Sequence, residues 1–304
     1  MALRGTRVNI IEVGPRDGLQ NESTSIETPD KIAFVDRLSA AGLPAIEVSA
    51  FVSPTRVPQL RDAEAVFAGI TRRPGTKYSA LVPNLAGLER ALAAGVSEIA
   101  IFAAASETFS RANINQGVEE SLARYREVCT RAHSYGMRVR GYLSTAFGCP
   151  YEGDVPADRV ASLTARLLDL GVWQVAVSDT IGIAHPGQVS ALIDAVGRRT
   201  PLDRIALHLH DTRGTALANV LIALELGVSA FDSSAGGLGG CPFAPGAAGN
   251  LATEDLIYML DGLGIETDVT LAGVLEASEL MQTRLGRPLP SRYAQAARAS
   301  HHRG

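Results

Sequence analysis

The chain contains 304 residues, 46% of them hydrophobic, and carries a formal net charge of -4 at pH 7. This composition allows a large buried core, and the nearly neutral charge gives no reason to expect nucleic acid or an anionic membrane surface as a partner. The length suits either two domains or a single barrel of about 250 residues, so the hydrophobic pattern has to distinguish them.

Short β-branched or apolar runs alternate along the chain with longer segments whose apolar residues recur at helical spacing. The strand-like runs are residues 8–14, 45–51, 78–83, 98–104, 139–147, 173–180, 205–211 and 230–237. The helix-like segments are residues 29–41, 59–70, 85–94, 118–135, 157–170, 187–198, 214–226 and 252–262. Eight strand-then-helix units without a linker between them predict one (β/α)8 TIM barrel. A doubly wound open sheet is the alternative, but it normally has fewer strands.

The same pattern predicts a single domain of residues 1–304, in which the barrel occupies about residues 7–265. An extra C-terminal helix is expected near residues 271–285, and the ending ASHHRG is expected to be a frayed polar tail. The N-terminal segment MALRGTRVNIIEVG lacks the apolar core of a signal peptide, and no run of about 18 apolar residues occurs. We therefore expect a cytoplasmic protein without a membrane span.

The cysteines of the chain are Cys129, Cys149 and Cys241. An odd number without CxxC spacing indicates neither a disulfide framework nor a structural zinc site. Free thiols are typical of a reducing compartment, which agrees with a cytoplasmic location.

Polar residues occur where the predicted strands end. In a TIM barrel the active site lies at the C-terminal mouth of the strands, so these positions are candidates for function. They carry Arg16, Asp17, Glu47, Arg140, Tyr142, Asp179, Thr180, His208 and His210. Because independent structural accidents would not all fall at one end of a barrel, the set as a whole predicts a functional site.

Two histidines, His208 and His210, stand two residues apart on the seventh predicted strand, so their side chains point to the same face. An unpaired buried polar group costs about 1–3 kcal/mol, and a shared divalent cation would satisfy both rings. Asp17 and the amide oxygen of Asn250 are plausible further ligands from the first and eighth strands. Nitrogen and oxygen ligands fit Mg, Mn, Zn, Co or Fe(II). Taken alone, the histidines could instead form hydrogen bonds, and Arg16 with Asp17 could be a structural ion pair.

A glycine-rich segment, GGLGGCPFAPGAAGN, covers residues 236–250. Glycine has no Cβ, so such a loop can bring its backbone close to a ligand. Cys241 and Asn250 are its side chains with strong chemistry. The segment lacks the third glycine of GxGxxG, and GxxxxGK[ST] does not occur in the chain, so nucleotide-binding functions lose their main support.

Several longer motifs carry a family resemblance. They are VGPRDGLQNE (13–22), AIEVSAFVSP (45–54), VPQL (57–60), GCPYEG (148–153), SDTIG (178–182), HLHDT (208–212) and the loop region 236–260. On these motifs the sequence resembles the 3-hydroxy-3-methylglutaryl-CoA (HMG-CoA) lyase family of metal-dependent TIM-barrel lyases and synthases. RDGLQNE and GLGGCP together are highly specific, whereas HxHD is shared with the condensing synthases. The resemblance covers about residues 7–285.

The resemblance implies a lyase that cleaves HMG-CoA into acetyl-CoA and acetoacetate, assembled as a homodimer. The implied ligands of a Mg²⁺ or Mn²⁺ ion are Asp17, His208, His210 and Asn250. The implied catalytic residues are Arg16, Asp17, Glu47, Asp179, His208 and Cys241. Among these, Arg16 would face the thioester oxygen, Asp17 or His208 would remove the hydroxyl proton, and Cys241 would act as acid or base from a mobile loop. The positions implied near the acyl-CoA substrate are Asn113, Arg140, Tyr142 and Thr180.

Departures from the family pattern keep alternatives open. Arg56 follows Pro-Thr where the lyases usually have Pro-Lys-Trp, Arg213 replaces the tyrosine of HDTYG, and Ser23 stands where a lysine often occurs. A lyase for citramalyl-CoA or for a longer 3-hydroxy-3-alkylglutaryl-CoA therefore remains an alternative, as does an acetyl-CoA-condensing synthase of the same superfamily. Two alternatives from other classes are a non-haem iron oxygenase and a non-catalytic barrel that binds a metal or an acyl-CoA.

Overall fold

The computed structural model describes residues 7–241 and 244–301. Eight parallel strands close into a barrel in chain order, and the last strand pairs with the first. The strands are β1 Asn9–Glu12, β2 Ala45–Ala50, β3 Lys77–Leu81, β4 Glu98–Ala104, β5 Arg138–Ser144, β6 Gln174–Asp179, β7 Ile205–Leu209 and β8 Ala230–Ser233. Each lies within or next to its predicted run, so the predicted (β/α)8 barrel is confirmed.

The helices surround the barrel, and each of the eight strands is followed by at least one of them. They are α1 Thr28–Ala40, α2 Ala63–Gly69, α3 Leu85–Ala93, α4 Glu107–Ile114, α5 Val118–Ser134, α6 Ala157–Asp169, α7 Pro186–Gly197, α8 Ala216–Glu225, α9 Thr253–Gly262, α10 Leu271–Leu285 and α11 Arg292–His301. In the described part of the chain, no helix is both long and apolar enough to cross a membrane.

Two helices and two short strands were not predicted. Ser106 begins α4 by accepting a hydrogen bond from the Phe109 backbone N–H at 3.1 Å, a normal helix cap. Ser291 precedes α11, which extends into the segment expected to be a frayed tail, so the chain ends in two helices where one was expected. The glycine-rich segment contains an antiparallel pair, β9 Gly240–Cys241 and β10 Ala244–Ala248.

Small side chains line the lower interior of the barrel. Ala100, Ala176, Ala206 and Ala230 face inward and are almost fully buried. Most of the larger apolar side chains form a separate core between the strands and the helices, although a few, such as Ile11 and Leu81, pack with the alanines. Because the alanines occupy little volume, the barrel interior has room for long polar side chains above them.

Two buried glutamates hold the chain where it leaves β8. Glu12 accepts the backbone N–H groups of Gly14 at 2.8 Å and Ala235 at 2.9 Å, and the Thr253 hydroxyl at 2.7 Å. Glu254 accepts the N–H of Gly236 with both oxygens, at 3.0 and 2.8 Å. These bonds fix the base of the glycine-rich segment. Burial raises the pKa of Glu12 and of Glu254 from 4.5 to about 7.

Replacing Glu12 with glutamine is expected to stabilise the protein at pH 8 and to leave its stability nearly unchanged at pH 5. A carboxyl with a folded pKa of about 7 and an ordinary value of 4.5 binds more protons when folded, so the free energy of unfolding falls as the pH rises through this interval. Glutamine keeps the acceptor for both N–H groups and does not ionise. We expect a gain of about 2 kcal/mol at pH 8, measured by urea unfolding at both pH values.

The matched control for this change is Glu225→Gln on the exposed surface of α8, which should shift neither value. A difference between Glu12→Gln and the wild type that is the same at pH 5 and pH 8 would contradict the expectation, since both proteins keep Glu254 and differ only in the ionisation of residue 12.

Candidate active site

A cavity of about 260 Å³ opens at the C-terminal mouth of the barrel. It brings together side chains that lie far apart in the chain, from the turn after β1 to the strand β7. Among the predicted site residues, those that line it are Arg16, Asp17, Asn113, Tyr142, Thr180, His208 and His210. Phe102, Phe109 and Tyr151 add an aromatic wall that the sequence did not predict.

A wide helical turn places Arg16 and Asp17 at this mouth. The turn spans Gly14–Gly18, and the N–H groups of Asp17 and Gly18 both donate to the carbonyl of Val13, at 2.7 and 3.2 Å. Glycine is needed at position 14 because a Cβ there would lie 2.6 Å from the Glu12 carboxylate. The chain therefore turns immediately after β1, and the two charged side chains end above the barrel.

Asp17, His208 and His210 form a cluster that could hold a metal ion. Each offers a ligand atom, and these atoms all lie within 4.8 Å of one another. The Nδ1 atom of His210 is buried without a hydrogen-bond partner among the described residues, which is the kind of atom that an ion would satisfy. Asn250 lies beside the cluster and donates from Nδ2 to Asp17 at 2.9 Å and to the Leu238 carbonyl at 3.1 Å. The residues present therefore fit a divalent cation bound by nitrogen and oxygen.

The electrostatics of the cluster favour ligation. Burial acts to raise the pKa of Asp17, but Arg16, His208, His210 and the Asn250 amide together hold it well below its usual range. Burial and the neighbouring His208 lower the pKa of His210 to about 4, against the opposing effect of Asp17. At neutral pH the site therefore presents a carboxylate and an uncharged imidazole, which are the forms that bind metals.

Arg16 is held between two carboxylates. Its Nε donates to Glu47 and its Nη1 donates to Asp17. Glu47 also accepts the hydroxyl of Tyr142, and the Arg16 guanidinium lies 5.3 Å from the centre of the Tyr142 ring. Although burial opposes the charge, Glu47 and Asp17 raise the pKa of Arg16, so a fixed cation lines the cavity.

Arg140 lies deeper in the barrel and is not among the residues that line the cavity. Its Nη1 and Nη2 donate to the two oxygens of Asp232, at 3.2 and 2.6 Å, and its Nε donates to Gln174 at 3.0 Å. Asp232 also lies 3.2 Å from Nδ1 of His208. Burial opposes ionisation of Asp232, but Arg140 and His208 lower its pKa below the usual value. Sequence reasoning missed Asp232, although alternation on β8 puts it on the same face as Ala230.

Asp179 is buried at the end of β6 and is not among the residues that line the cavity. Asp179 accepts the N–H groups of Ile183 at 3.0 Å and Ala184 at 2.9 Å, which shapes the loop after β6. The backbone of Cys241 lies in β9, but its side chain is outside the described residues, so its predicted role in catalysis stays a prediction.

The two arginines that depart from the family pattern do not reach the cavity. Arg213 donates from Nη1 to the carbonyls of Ile181 and Gly182, at 2.8 and 3.0 Å, so it supports the loop after β6. Arg56 is exposed. Neither position therefore offers a direct contact to a ligand in the cavity.

Comparisons with known proteins agree with this geometry. The profile of the HMGL-like family matches residues 7–281. A hydroxymethylglutaryl-CoA lyase from Bacillus subtilis is 50% identical over 294 residues, which are 97% of this chain and 98% of that protein. The human mitochondrial hydroxymethylglutaryl-CoA lyase is 51% identical over 290 residues, or 95% and 89% of the two chains.

Solved structures of HMG-CoA lyases also superpose on this chain. A hydroxymethylglutaryl-CoA lyase from Pseudomonas aeruginosa superposes with a TM-score of 0.97 at 50% identity and covers 99% of this chain and 100% of that one. An HMG-CoA lyase from Acinetobacter baumannii, solved with coenzyme A and 3-methylmalate, superposes with a TM-score of 0.91 at 41% identity, covering 95% of each chain.

Proposed function

This chain belongs to the HMGL-like family, and from that premise we propose that it is a carbon–carbon lyase cleaving HMG-CoA into acetyl-CoA and acetoacetate. The observation that carries the proposal is the cluster of Asp17, His208 and His210 beside the Arg16 guanidinium at the barrel mouth. That arrangement joins a site for a divalent cation to a fixed positive charge, and both stabilise negative charge that develops on oxygen.

Asp17, His208 and His210, with Asn250 beside them, would hold the ion, for which we propose Mg²⁺ or Mn²⁺. When bound, such an ion acts as a Lewis acid that lowers the pKa of a hydroxyl on the substrate. These side chains converge from the turn after β1, from β7 and the residue that follows it, and from the segment after β10, so closing the barrel assembles the site. His210 supports this assignment most directly, because its Nδ1 otherwise has no partner among the described residues.

The chain's own residues account for the proton and electron movements. Asp17 or His208 accepts the proton of the substrate's 3-hydroxyl, since both face the cavity. The C2–C3 bond then breaks, C3 becomes the ketone of acetoacetate, and the electron pair moves onto the thioester as an enolate. Arg16, which lines the cavity, would donate to that enolate oxygen, and Glu47 holds the guanidinium in place. A proton is then added to C2, and we propose Cys241 as its donor.

The glycine-rich segment would exclude water from the enolate. Its base is fixed to Glu12 and Glu254, and Asn250 donates to the Leu238 carbonyl across it. Close packing at this base requires glycine, because a Cβ on Gly239 would lie 2.8 Å from Nδ2 of Asn250 and the residue has a φ of +97°. We propose that the part of the segment beyond this base closes over the bound substrate.

The aromatic wall of Phe102, Phe109 and Tyr151 gives the cavity an apolar side for the acyl group, and Asn113 and Thr180 add polar groups. An acyl-CoA thioester is the proposed substrate. Arg140 would act from beneath the site and Asp179 through the loop after β6, since neither lines the cavity.

We further propose a single-domain chain that assembles as a homodimer in the cytoplasm. Cys129 and Cys149 are buried and unpaired, which agrees with a reducing compartment.

The proposed function predicts release of acetoacetate and acetyl-CoA from HMG-CoA in the presence of Mg²⁺ or Mn²⁺, and loss of this activity with a chelator. Citramalyl-CoA and a longer 3-hydroxy-3-alkylglutaryl-CoA are assayed beside it. Cleavage of one of these two thioesters but not of HMG-CoA would support the proposed reaction type and change the assigned substrate. Condensation of acetyl-CoA with a 2-oxo acid would indicate a synthase, O₂ consumption with Fe(II) an oxygenase, and binding without turnover a non-catalytic barrel.

A further inference from the structure

Asp232 has no role in the steps above, yet it touches a proposed metal ligand. It lies on β8 directly beside His208 on β7, in the register that pairs the two residues. Its Oδ2 is 3.2 Å from Nδ1 of His208, while Nε2 at the other side of the ring faces Asp17 Oδ2 at 3.9 Å. The imidazole therefore lies between two carboxylates, one beneath it and one in the cavity.

The Asp232 carboxylate can only accept hydrogen bonds. Both its oxygens are bonded by Arg140, at 3.2 and 2.6 Å, and its side chain is fully buried. A carboxylate engaged by both ends of a guanidinium carries no proton to donate. The proton between Asp232 and His208 must therefore belong to Nδ1 of the imidazole.

We propose that Asp232 is a positioning residue that holds His208 as the Nδ1–H tautomer, so that the Nε2 lone pair is ready to bind a divalent cation. A neutral imidazole has a single N–H, so placing it on Nδ1 leaves Nε2 as the acceptor. Ring packing also restricts the orientation of His208. Its ring centroid lies 5.9 Å from that of Tyr142, in an edge-to-face arrangement, and 5.4 Å from that of His210. Metal-binding histidines commonly have such a carboxylate on their other nitrogen.

His210 provides an internal contrast. Its Nδ1 has no partner in the described part of the chain, so the protein does not fix its tautomer in the same way. The two proposed histidine ligands therefore differ, and His208 is the one prepared in advance. A purely structural role, in which Asp232 only neutralises the buried Arg140, would not require any bond to His208. This inference rests on the proposed metal site and is independent of the identity of the thioester.

The test compares the wild type with Asp232→Asn. The amide keeps one oxygen for Arg140, but its NH₂ group then faces His208, which favours the tautomer with the proton on Nε2. We expect Mn²⁺ affinity, measured by electron paramagnetic resonance, to fall about 10- to 100-fold. In the metal-free proteins, ¹⁵N chemical shifts of the His208 ring, assigned with His208→Gln, should report Nδ1–H in the wild type and Nε2–H in the variant.

Gln174→Ala is the matched control, because it removes a different partner of Arg140 and leaves the contact between Asp232 and His208 intact. Its Mn²⁺ affinity should stay within about threefold of the wild type, well inside the 10- to 100-fold range of a lost ligand-supporting contact. Unchanged affinity and tautomer in Asp232→Asn would overturn the inference, and so would a wild-type His208 that carries its proton on Nε2, even if the variant fails to fold. Absence of Mn²⁺ binding by the wild type would overturn the proposed metal site instead.

Discussion

Asp17→Asn is expected to weaken binding of Mg²⁺ or Mn²⁺ and to lower the rate of thioester cleavage about 10⁴-fold, because Lewis-acid stabilisation worth about 5 kcal/mol would be lost. Both oxygens of Asp17 face donors, namely Nη1 of Arg16 and Nδ2 of Asn250. An asparagine at this position has to turn its own NH₂ group toward one of them. The change thus removes the negative charge and disturbs both neighbours, although the side chain keeps its shape.

Two measurements separate the effects of this change. Titration with Mn²⁺ gives the affinity, and the cleavage rate at saturating Mn²⁺ shows whether any defect remains once the ion is bound. Asp194→Asn, which removes an exposed carboxylate on α7, serves as the control and should behave as the wild type in both assays. Normal metal affinity in Asp17→Asn would remove Asp17 from the ligand set.

Much of the barrel could be predicted because each of its units buries its own apolar face. The buried strands are short and rich in apolar residues, and glycines such as Gly42, Gly171 and Gly227 close the preceding helices with positive φ. These signals are local in sequence. The helix α11 depends on a distant contact as well, since Asp255 accepts the Ser291 hydroxyl and the N–H groups of Arg292 and Tyr293. The hydrophobic pattern within a segment cannot reveal a contact with a distant residue.

The candidate site was likewise only partly predictable from local sequence. The side chains at the strand ends were predicted because a barrel brings them to one mouth. How deep each side chain lies inside the barrel was not predicted. Arg140 and Tyr142 share a face, yet two residues along a strand correspond to about 6.6 Å, and Tyr142 alone of the two lines the cavity. Alternation also explains Asp179, because Ser178 faces the cavity and the next residue points away from it.

Asp232 required knowledge of register rather than of sequence pattern. An aspartate in AFDSS carries no recognisable motif, and its partners Arg140 and His208 come from β5 and β7. Only the pairing of His208 with Asp232 across neighbouring strands reveals that the two side chains meet. Buried polar groups require partners, so the question that could have found Asp232 is which acceptor satisfies Arg140 inside the barrel.

Arg16→Gln is expected to lower kcat about 10²- to 10³-fold while Mn²⁺ affinity stays close to that of the wild type, because a donor aimed at a developing oxyanion acts mainly in the transition state. Arg16 is not a ligand in the proposed site, and its carboxylate partners Glu47 and Asp17 hold it in one orientation before the substrate arrives. Removing it leaves Glu47 bonded to the Tyr142 hydroxyl, so one partner of that buried carboxylate remains.

Arg16→Lys tests whether charge alone suffices. An ammonium on a flexible chain cannot bond Glu47 and Asp17 with the planar fork that Arg16 uses through Nε and Nη1, so its position would be less fixed. We therefore expect the kcat of Arg16→Lys to lie between those of the wild type and of Arg16→Gln, with similar KM values for both variants. Steady-state kinetics at saturating Mn²⁺ measures this, and thermal unfolding checks that both variants are folded. If Arg16→Gln kept kcat within tenfold of the wild type, the enolate charge would have to be stabilised elsewhere, because no other arginine or lysine among the described residues lines the cavity.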